Sequence, residues 1–286
     1  MIWRCRGRQV PVGERTLVMG ILNVTPDSFS DGGLYAEPER AVEHAVEMIK
    51  AGADIIDVGG ESTRPGADPV PAEEERRRVL PVIQALRRQS DVLISIDTYK
   101  AEVARAALDA GADIVNDISG LGFDEEMPGV VASTGAGLVL MHIRGTPRTM
   151  QQNPVYRDVV REIGETFAER LAKAEKAGIS PEQVVLDPGI GFGKKLQHNL
   201  EILRRLKEFR RFERPILIGP SRKSFIGAIL DLPPDQRLEG TAAAVAVGIA
   251  NGADVVRVHD VREMVRVVRV ADAIVRGFSP TAGAQA

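Results

Sequence analysis

Eight short apolar, β-branched runs, mostly separated by stretches of helical period, predict an α/β chain folded as a single (β/α)8 TIM barrel. Three observations carry this expectation. Runs and helical stretches alternate along the chain; the runs are continuously apolar, as strands covered on both faces are; and 286 residues lie close to the roughly 250 of a typical barrel. An open doubly wound sheet is the rival architecture.

Strands are expected at residues 17–22, 54–58, 92–96, 113–118, 137–141, 183–186, 215–218 and 254–258. Stretches rich in Ala, Glu, Arg and Leu predict helices at 38–50, 72–89, 100–110, 155–176 and 200–210. Three helices end in nearly the same word, AGAD at 51–54 and 110–113 and NGAD at 251–254, each running directly into a strand. Its glycine is expected to be the left-handed residue that ends a helix and turns the chain. The segment 241–250 is Ala- and Val-rich almost all round, which predicts burial on more than one face, in a tight core or a subunit contact. The barrel domain is assigned to 1–278, and the small, polar residues 279–286 to a disordered tail.

Composition narrows the function. The chain is 44% hydrophobic and 27% charged, ordinary for a folded domain with a sizeable core. Its 37 basic and 40 acidic residues are interspersed and sum to −3, so no basic stripe serves nucleic acid or an anionic membrane. Any bound anion is therefore expected to be small and locally held. The single cysteine, Cys5, rules out an intrachain disulfide framework and a thiolate cluster, and a cytoplasmic location is expected. Arg4, Arg6 and Arg8 precede no apolar h-region, so neither a signal peptide nor a membrane span is expected.

In a barrel of this kind the chemistry sits at the C-terminal ends of the strands. Polar residues follow the apolar runs at Asn23, Glu61 to Arg64, Asp97, Asn116, His142, Asp187, Ser221 to Lys223, and Arg257 with His259. Each taken alone is more simply a solvated strand end, but together they converge on one rim. Arg257 and His259 are two apart on a strand and share a face. No acid in the sequence obviously partners Arg257, so a bound phosphate is expected there, with Arg64 in the glycine-rich loop 59–66 clamping the same anion. Asp97, Asn116, Asp187 and Lys223 offer acceptors, an amide and a cation to a flat heterocycle with donors and acceptors on its edge. The alternative is that Asp97 and Asp187 simply pair with Lys100, Lys194 or Lys223. The loop PGIGFG at 188–193 has the wrong spacing for a dinucleotide fingerprint. His44, His142 and His198 lack metal-ligand spacing and receive no catalytic role.

Residues 23–33 (NVTPDSFSDGG), 59–66 (GGESTRPG), 187–194 (DPGIGFGK), 221–223 (SRK) and 257–260 (RVHD) resemble the signature segments of the dihydropteroate synthases, in the family's order. The resemblance runs from about residue 17 to residue 278. It implies condensation of a 7,8-dihydropterin-6-ylmethyl diphosphate with 4-aminobenzoate, giving dihydropteroate and pyrophosphate in folate biosynthesis. It further implies Mg2+ held on the diphosphate with help from Asn23, and a homodimer. By the same resemblance Arg64, Arg257 and His259 meet the diphosphate and Thr63 binds substrate, while Asp97, Asn116, Asp187 and Lys223 hold the pterin edge. Met141, Phe192 and Gly219 line the pterin pocket, and Ser224 with Phe192 stands at the arylamine end. Asp97, Lys223 and Asp31 are the expected catalytic residues, Asp31 on a first glycine-rich loop that closes with residues 62–65 over the diphosphate. Carbon–oxygen cleavage is expected to run ahead of amine attack, with the Asp97 carboxylate near the developing cation.

Two alternatives remain at this point. A methyltetrahydrofolate-dependent methyltransferase resembles this chain in barrel and pterin edge but needs no diphosphate clamp. A non-catalytic pterin-binding partner or sensor has no need of Asn23, Asp97 and Lys223, all of which are present.

Overall fold

The computed structural model describes residues 1–25 and 33–278, with no side-chain description for 33–37. Asp31 and the tail 279–286 lie outside the described residues. The chain opens with an antiparallel hairpin, β1 (Ile2–Cys5) and β2 (Arg8–Pro11), turned by Arg6 and Gly7, both at positive φ. Then follow β3 (Leu17–Asn23), α1 (Gly33–Ala51), β4 (Ile55–Gly59), α2 (Ala72–Gln89), β5 (Leu93–Asp97), α3 (Ala101–Asp109), β6 (Ile114–Asp117), α4 (Met127–Thr134) and β7 (Gly137–Met141). The second half continues with α5 (Val159–Lys176), β8 (Val184–Asp187), α6 (Leu196–Arg204), β9 (Leu217–Ile218), α7 (Ser224–Leu230), α8 (Leu238–Ala250), β10 (Val255–Val258) and α9 (Val261–Arg276).

The order β8-β7-β6-β5-β4-β3-β10-β9 is parallel throughout, and a parallel bridge between Leu186 and Ile216 joins its two ends. This closed eight-stranded sheet with its surrounding helices is the (β/α)8 barrel expected from the sequence. Outward strand residues such as Val18, Ile56, Ile94, Val115, Leu138, Leu186 and Val256 form one core with the helices. Inward residues Leu17, Met19, Ile55, Leu93, Ile114, Val139, Val185, Leu217 and Val255 form a second.

The hairpin, absent from the expected elements, closes this inner core from the N-terminal end. Trp3, Cys5 and Val12 are buried among the inward residues, and Trp3 Nε1 donates to the Gln183 carbonyl at 2.8 Å. Four residues per strand are too short a pattern to distinguish from loop, so only the packing makes the element visible.

The repeated helix ends do more than turn. Gly52, Gly111 and Gly252 all have φ above +100°. The aspartate after each accepts a backbone N–H from the neighbouring strand: Asp54 from Val18 at 2.9 Å, Asp113 from Ile94 at 3.0 Å, Asp254 from Ile216 at 2.9 Å. Each also pairs with an arginine, respectively Arg15, Arg87 and Arg210. One device thus fastens three αβ units.

Three helix expectations change. The stretch expected from 155 becomes helical at Val159, because Asp158 caps it by accepting from the backbone of Val160 and Arg161. The helix expected at 200–210 is divided: α6 ends at Arg204 and a 3-10 helix, Leu206–Phe212, follows, setting Phe209 and Phe212 edge-on to Phe167. The expected two-faced burial near 241–250 is not found in the single chain. Thr241, Ala244, Val245, Gly248 and Ile249 of α8 are buried along one stripe, while Val247 is half exposed.

Candidate active site

Period-2 alternation carries the inner face of each strand from apolar to polar as it reaches the C-terminal mouth. Ile55 of β4 is followed on its face by Asp57 and Gly59; Leu93 of β5 by Ser95 and Asp97; Ile114 of β6 by Asn116; Val185 of β8 by Asp187; Val255 of β10 by Arg257. Asp57, Ser95, Asp97, Asn116 and Asp187 are all buried.

These side chains form one connected group. Arg257 Nε donates to Asp57 Oδ2 at 2.6 Å and its Nη2 to Asp97 Oδ2 at 2.7 Å. Asn116 Nδ2 donates to the same Asp57 oxygen at 3.0 Å. The expectation that Arg257 lacks an acidic partner is therefore corrected: it has two. Asp57, read as part of an apolar run, faces inward because it lies two residues beyond Ile55. The second oxygens, Asp57 Oδ1 and Asp97 Oδ1, and Ser95 Oγ are buried without a hydrogen-bond partner among the described residues. Unpartnered buried acceptors are costly, so this layer is built to meet further donors.

The simple pairing of Asp97 and Asp187 with nearby lysines is not observed. Lys100 donates to Glu61 and Glu75. Lys194 Nζ contacts His142 Nδ1 at 3.0 Å and the carbonyls of Phe192 at 2.8 Å and His142 at 3.3 Å. Lys223 donates to the Ile190 carbonyl and lies over the Phe192 ring, 4.1 Å from its centre. Asp187 Oδ1 accepts the Gly189 N–H at 2.7 Å. Glycine is required in this loop by close approach: a Cβ on Gly189 would overlap the His142 carbonyl, and one on Gly191 would lie 2.7 Å from Lys223 Cδ. Phe192, Met141, Ile118 and Met150 form the apolar wall of the mouth.

Charge in the mouth is strongly tuned. Desolvation pulls the Lys223 ammonium down to about 7 against the opposing pull of Asp187 and Asp97. Burial raises the carboxyl of Asp187, opposed by the Gly189 amide. Burial also works against the Arg257 charge, but Asp57 and Asp97 hold it firmly protonated. The His259 ring is lowered to about 4, by burial first and then by Arg257 and Arg222, so it is neutral near pH 7. Ser221 Oγ accepts the His259 backbone N–H at 3.2 Å and lies 3.0 Å from His259 Nδ1. The neutral ring therefore shares one hydrogen bond with this hydroxyl at Nδ1.

The remaining expected residues are placed unevenly. Asn23 Oδ1 and Asp97 Oδ2 converge on Gly59, within 3.8 and 3.7 Å of where its Cβ would stand. Gly219 packs against Arg257, its Cβ position 3.7 Å from Arg257 Cβ. Thr63 and Arg64 lie on the loop between β4 and α2; Arg64 is exposed, makes no ion pair among the described residues, and lies near enough to His259 to depress its protonation. Ser224 is the exposed first residue of α7. Asp57 and Ser95 are not among the residues expected at the mouth; the two-residue step back from Gly59 and Asp97 is the signal in the sequence that marks them.

Among the described residues no helix is long and apolar enough to cross a membrane. Residues 19–259 match the pterin binding enzyme family. The chain is 54% identical over 265 residues to the dihydropteroate synthase of Synechocystis sp., spanning 92% of both chains. Its fold superposes with a TM-score of 0.89 on a Clostridium difficile dihydropteroate synthase crystallised in the presence of pteroic acid, at 48% identity over 93% of this chain and 99% of that one. The Xanthomonas albilineans dihydropteroate synthase with 4-aminobenzoic acid gives a TM-score of 0.89 at 43% identity, over 96% of this chain and 98% of that one. With the polar mouth described and these relatives matched over nearly the whole chain, the chain belongs to the dihydropteroate synthase family of pterin binding enzymes.

Proposed function

We propose that this protein condenses 7,8-dihydropterin-6-ylmethyl diphosphate with 4-aminobenzoate, giving 7,8-dihydropteroate and pyrophosphate. The observation that carries the reading is the buried layer of Asp57, Asp97, Asn116 and Arg257 with acceptor oxygens still unpartnered. A pterin edge carries amino and ring N–H groups that would donate to Asp97 Oδ1 and Asp187, while the Asn116 carbonyl and Lys223 Nζ complete the mixed pattern. Phe192 and Met141 supply the apolar contact.

The bond from the pterin methylene carbon to the diphosphate oxygen breaks, its electron pair leaving with the diphosphate. The arylamine nitrogen forms the new bond and loses one proton, which passes to solvent. Arg64, Thr63, the His259 ring and Arg257 are the groups offered to the departing charge. Asp97 is positioned to stabilise positive charge on the pterin. Asp31, lying outside the described residues, keeps its role from the family resemblance alone.

Magnesium fits a substrate-held ion. Among the described residues no group of three or more His, Cys, Asp or Glu side chains could hold a metal. Asn23 Oδ1, beside Asp97, is a hard oxygen of the kind Mg2+ takes singly when phosphates and water supply the rest. Bound there, the ion would offset charge on the leaving diphosphate.

We also assign a homodimer that pairs through α8 and α9, where Val247, Val270 and Ile274 stand exposed. Sedimentation velocity reads this directly, and a monomer at micromolar concentration refutes it.

The reaction is tested by pyrophosphate release with and without 4-aminobenzoate, in magnesium, on the wild type and Lys223→Ala. Arylamine-dependent release, lost in the variant, is expected. No release from a folded, pterin-binding wild type overturns the reading.

A further inference from the structure

One buried side chain fastens the base of the loop between β4 and α2. Glu61 lies two residues beyond β4, and its Oε2 accepts the backbone N–H of Val70, nine residues on, at 2.8 Å. The same oxygen accepts from Lys100 Nζ at 2.5 Å, and Oε1 accepts from the Tyr99 hydroxyl at 2.5 Å. Lys100 also donates to Glu75 on α2. The first foot of the loop is pinned independently, since Arg78 Nη1 donates to the Gly60 carbonyl at 2.9 Å. A Cβ on Gly60 would stand 2.8 Å from Val79, so that foot packs directly on α2. Between the two feet lie Thr63 and Arg64.

We propose that Glu61, held by Tyr99 and Lys100, is a positioning residue that fixes where Thr63 and Arg64 meet the substrate's diphosphate; this rests on the diphosphate reading above. Two carboxylates share one ammonium here, and Glu75 keeps one buried oxygen unpartnered. Such a network is a poor way to gain stability, because apolar side chains would fill the space at lower desolvation cost. It is a good way to fix geometry: all three bonds to Glu61 have defined directions, and one of them is to the loop's own backbone. An exposed arginine on an unpinned loop would lose more conformational freedom on binding an anion. Tyr99 packs against the cluster of Ile118, Met141 and Phe192, so the clasp takes its reference from the pocket wall.

Calorimetric binding of inorganic pyrophosphate, in magnesium, and of 6-hydroxymethylpterin separates this role from a general structural one. Charge-assisted hydrogen bonds of this kind set the scale: Glu61→Gln is expected to weaken pyrophosphate binding about tenfold and Tyr99→Phe about threefold, with pterin affinity kept within about twofold. In the double variant Glu61→Gln/Arg64→Ala, the loss of pyrophosphate binding is expected to be clearly smaller than the sum of the two single losses, since the clasp acts in part through that side chain. Unchanged pyrophosphate binding in Glu61→Gln, parallel loss of both ligands, or additive losses in the double variant each overturn the proposal. A wild type that binds pterin but no pyrophosphate overturns the diphosphate reading as well.

Discussion

Replacing Asp57 by asparagine keeps the side-chain shape and removes one charge from the centre of the polar layer. Asp57 is fully buried, and one of its oxygens accepts from both Arg257 and Asn116. Hydrogen bonds to a charged group contribute about 1.5–3 kcal/mol. Arg257 keeps its second carboxylate, Asp97, so the loss should stay below the roughly 3–5 kcal/mol of stripping a buried ion of its only partner. The amide oxygen replaces part of what is lost. We therefore expect unfolding free energy to fall by about 2 kcal/mol, read by urea denaturation at neutral pH with the m-value unchanged. Pterin affinity should fall too, since Asn116 is oriented by the same oxygen. A stability change under about 0.5 kcal/mol with unaltered pterin binding would refute the view that Asp57 organises this layer.

Two further outcomes test other parts of the structure. Trp3→Ala should cost about 3–5 kcal/mol by opening a cavity where the hairpin plugs the barrel, while kcat/KM of the folded fraction is preserved, because the plug lies at the opposite end from the mouth; an equally large loss of kcat/KM in folded protein counts against this. His259 is held near 4 in the folded chain, against 6.5 for an unburied ring. The unfolded chain alone binds that proton between those values, so this contribution to stability is intact above pH 6.5 and is lost as pH falls towards 4. In His259→Gln the decline over that window should be shallower; identical slopes would show that the ring is not shielded as described.

The alternation of apolar runs and helices, and the repeated glycine at helix ends, are local properties. They made the barrel legible, because a parallel strand buried on both faces and a left-handed helix end each need particular residues nearby in sequence. The signature segments likewise exposed the family and, in the mouth, Asp187, Lys223 and Arg257; Asp97 and Asn116 were legible as polar residues at the ends of apolar runs. What no segment could show was who faces whom. Asp57 and Arg257 are 200 residues apart and meet only because the barrel closes, so the arginine that looked partnerless in sequence is doubly paired in space. The aspartates of the repeat, the N-terminal plug and the Glu61 clasp were hidden for the same reason. Each depends on a partner brought near by tertiary closure, where burial and hydrogen bonding, rather than local propensity, decide which role a polar side chain takes.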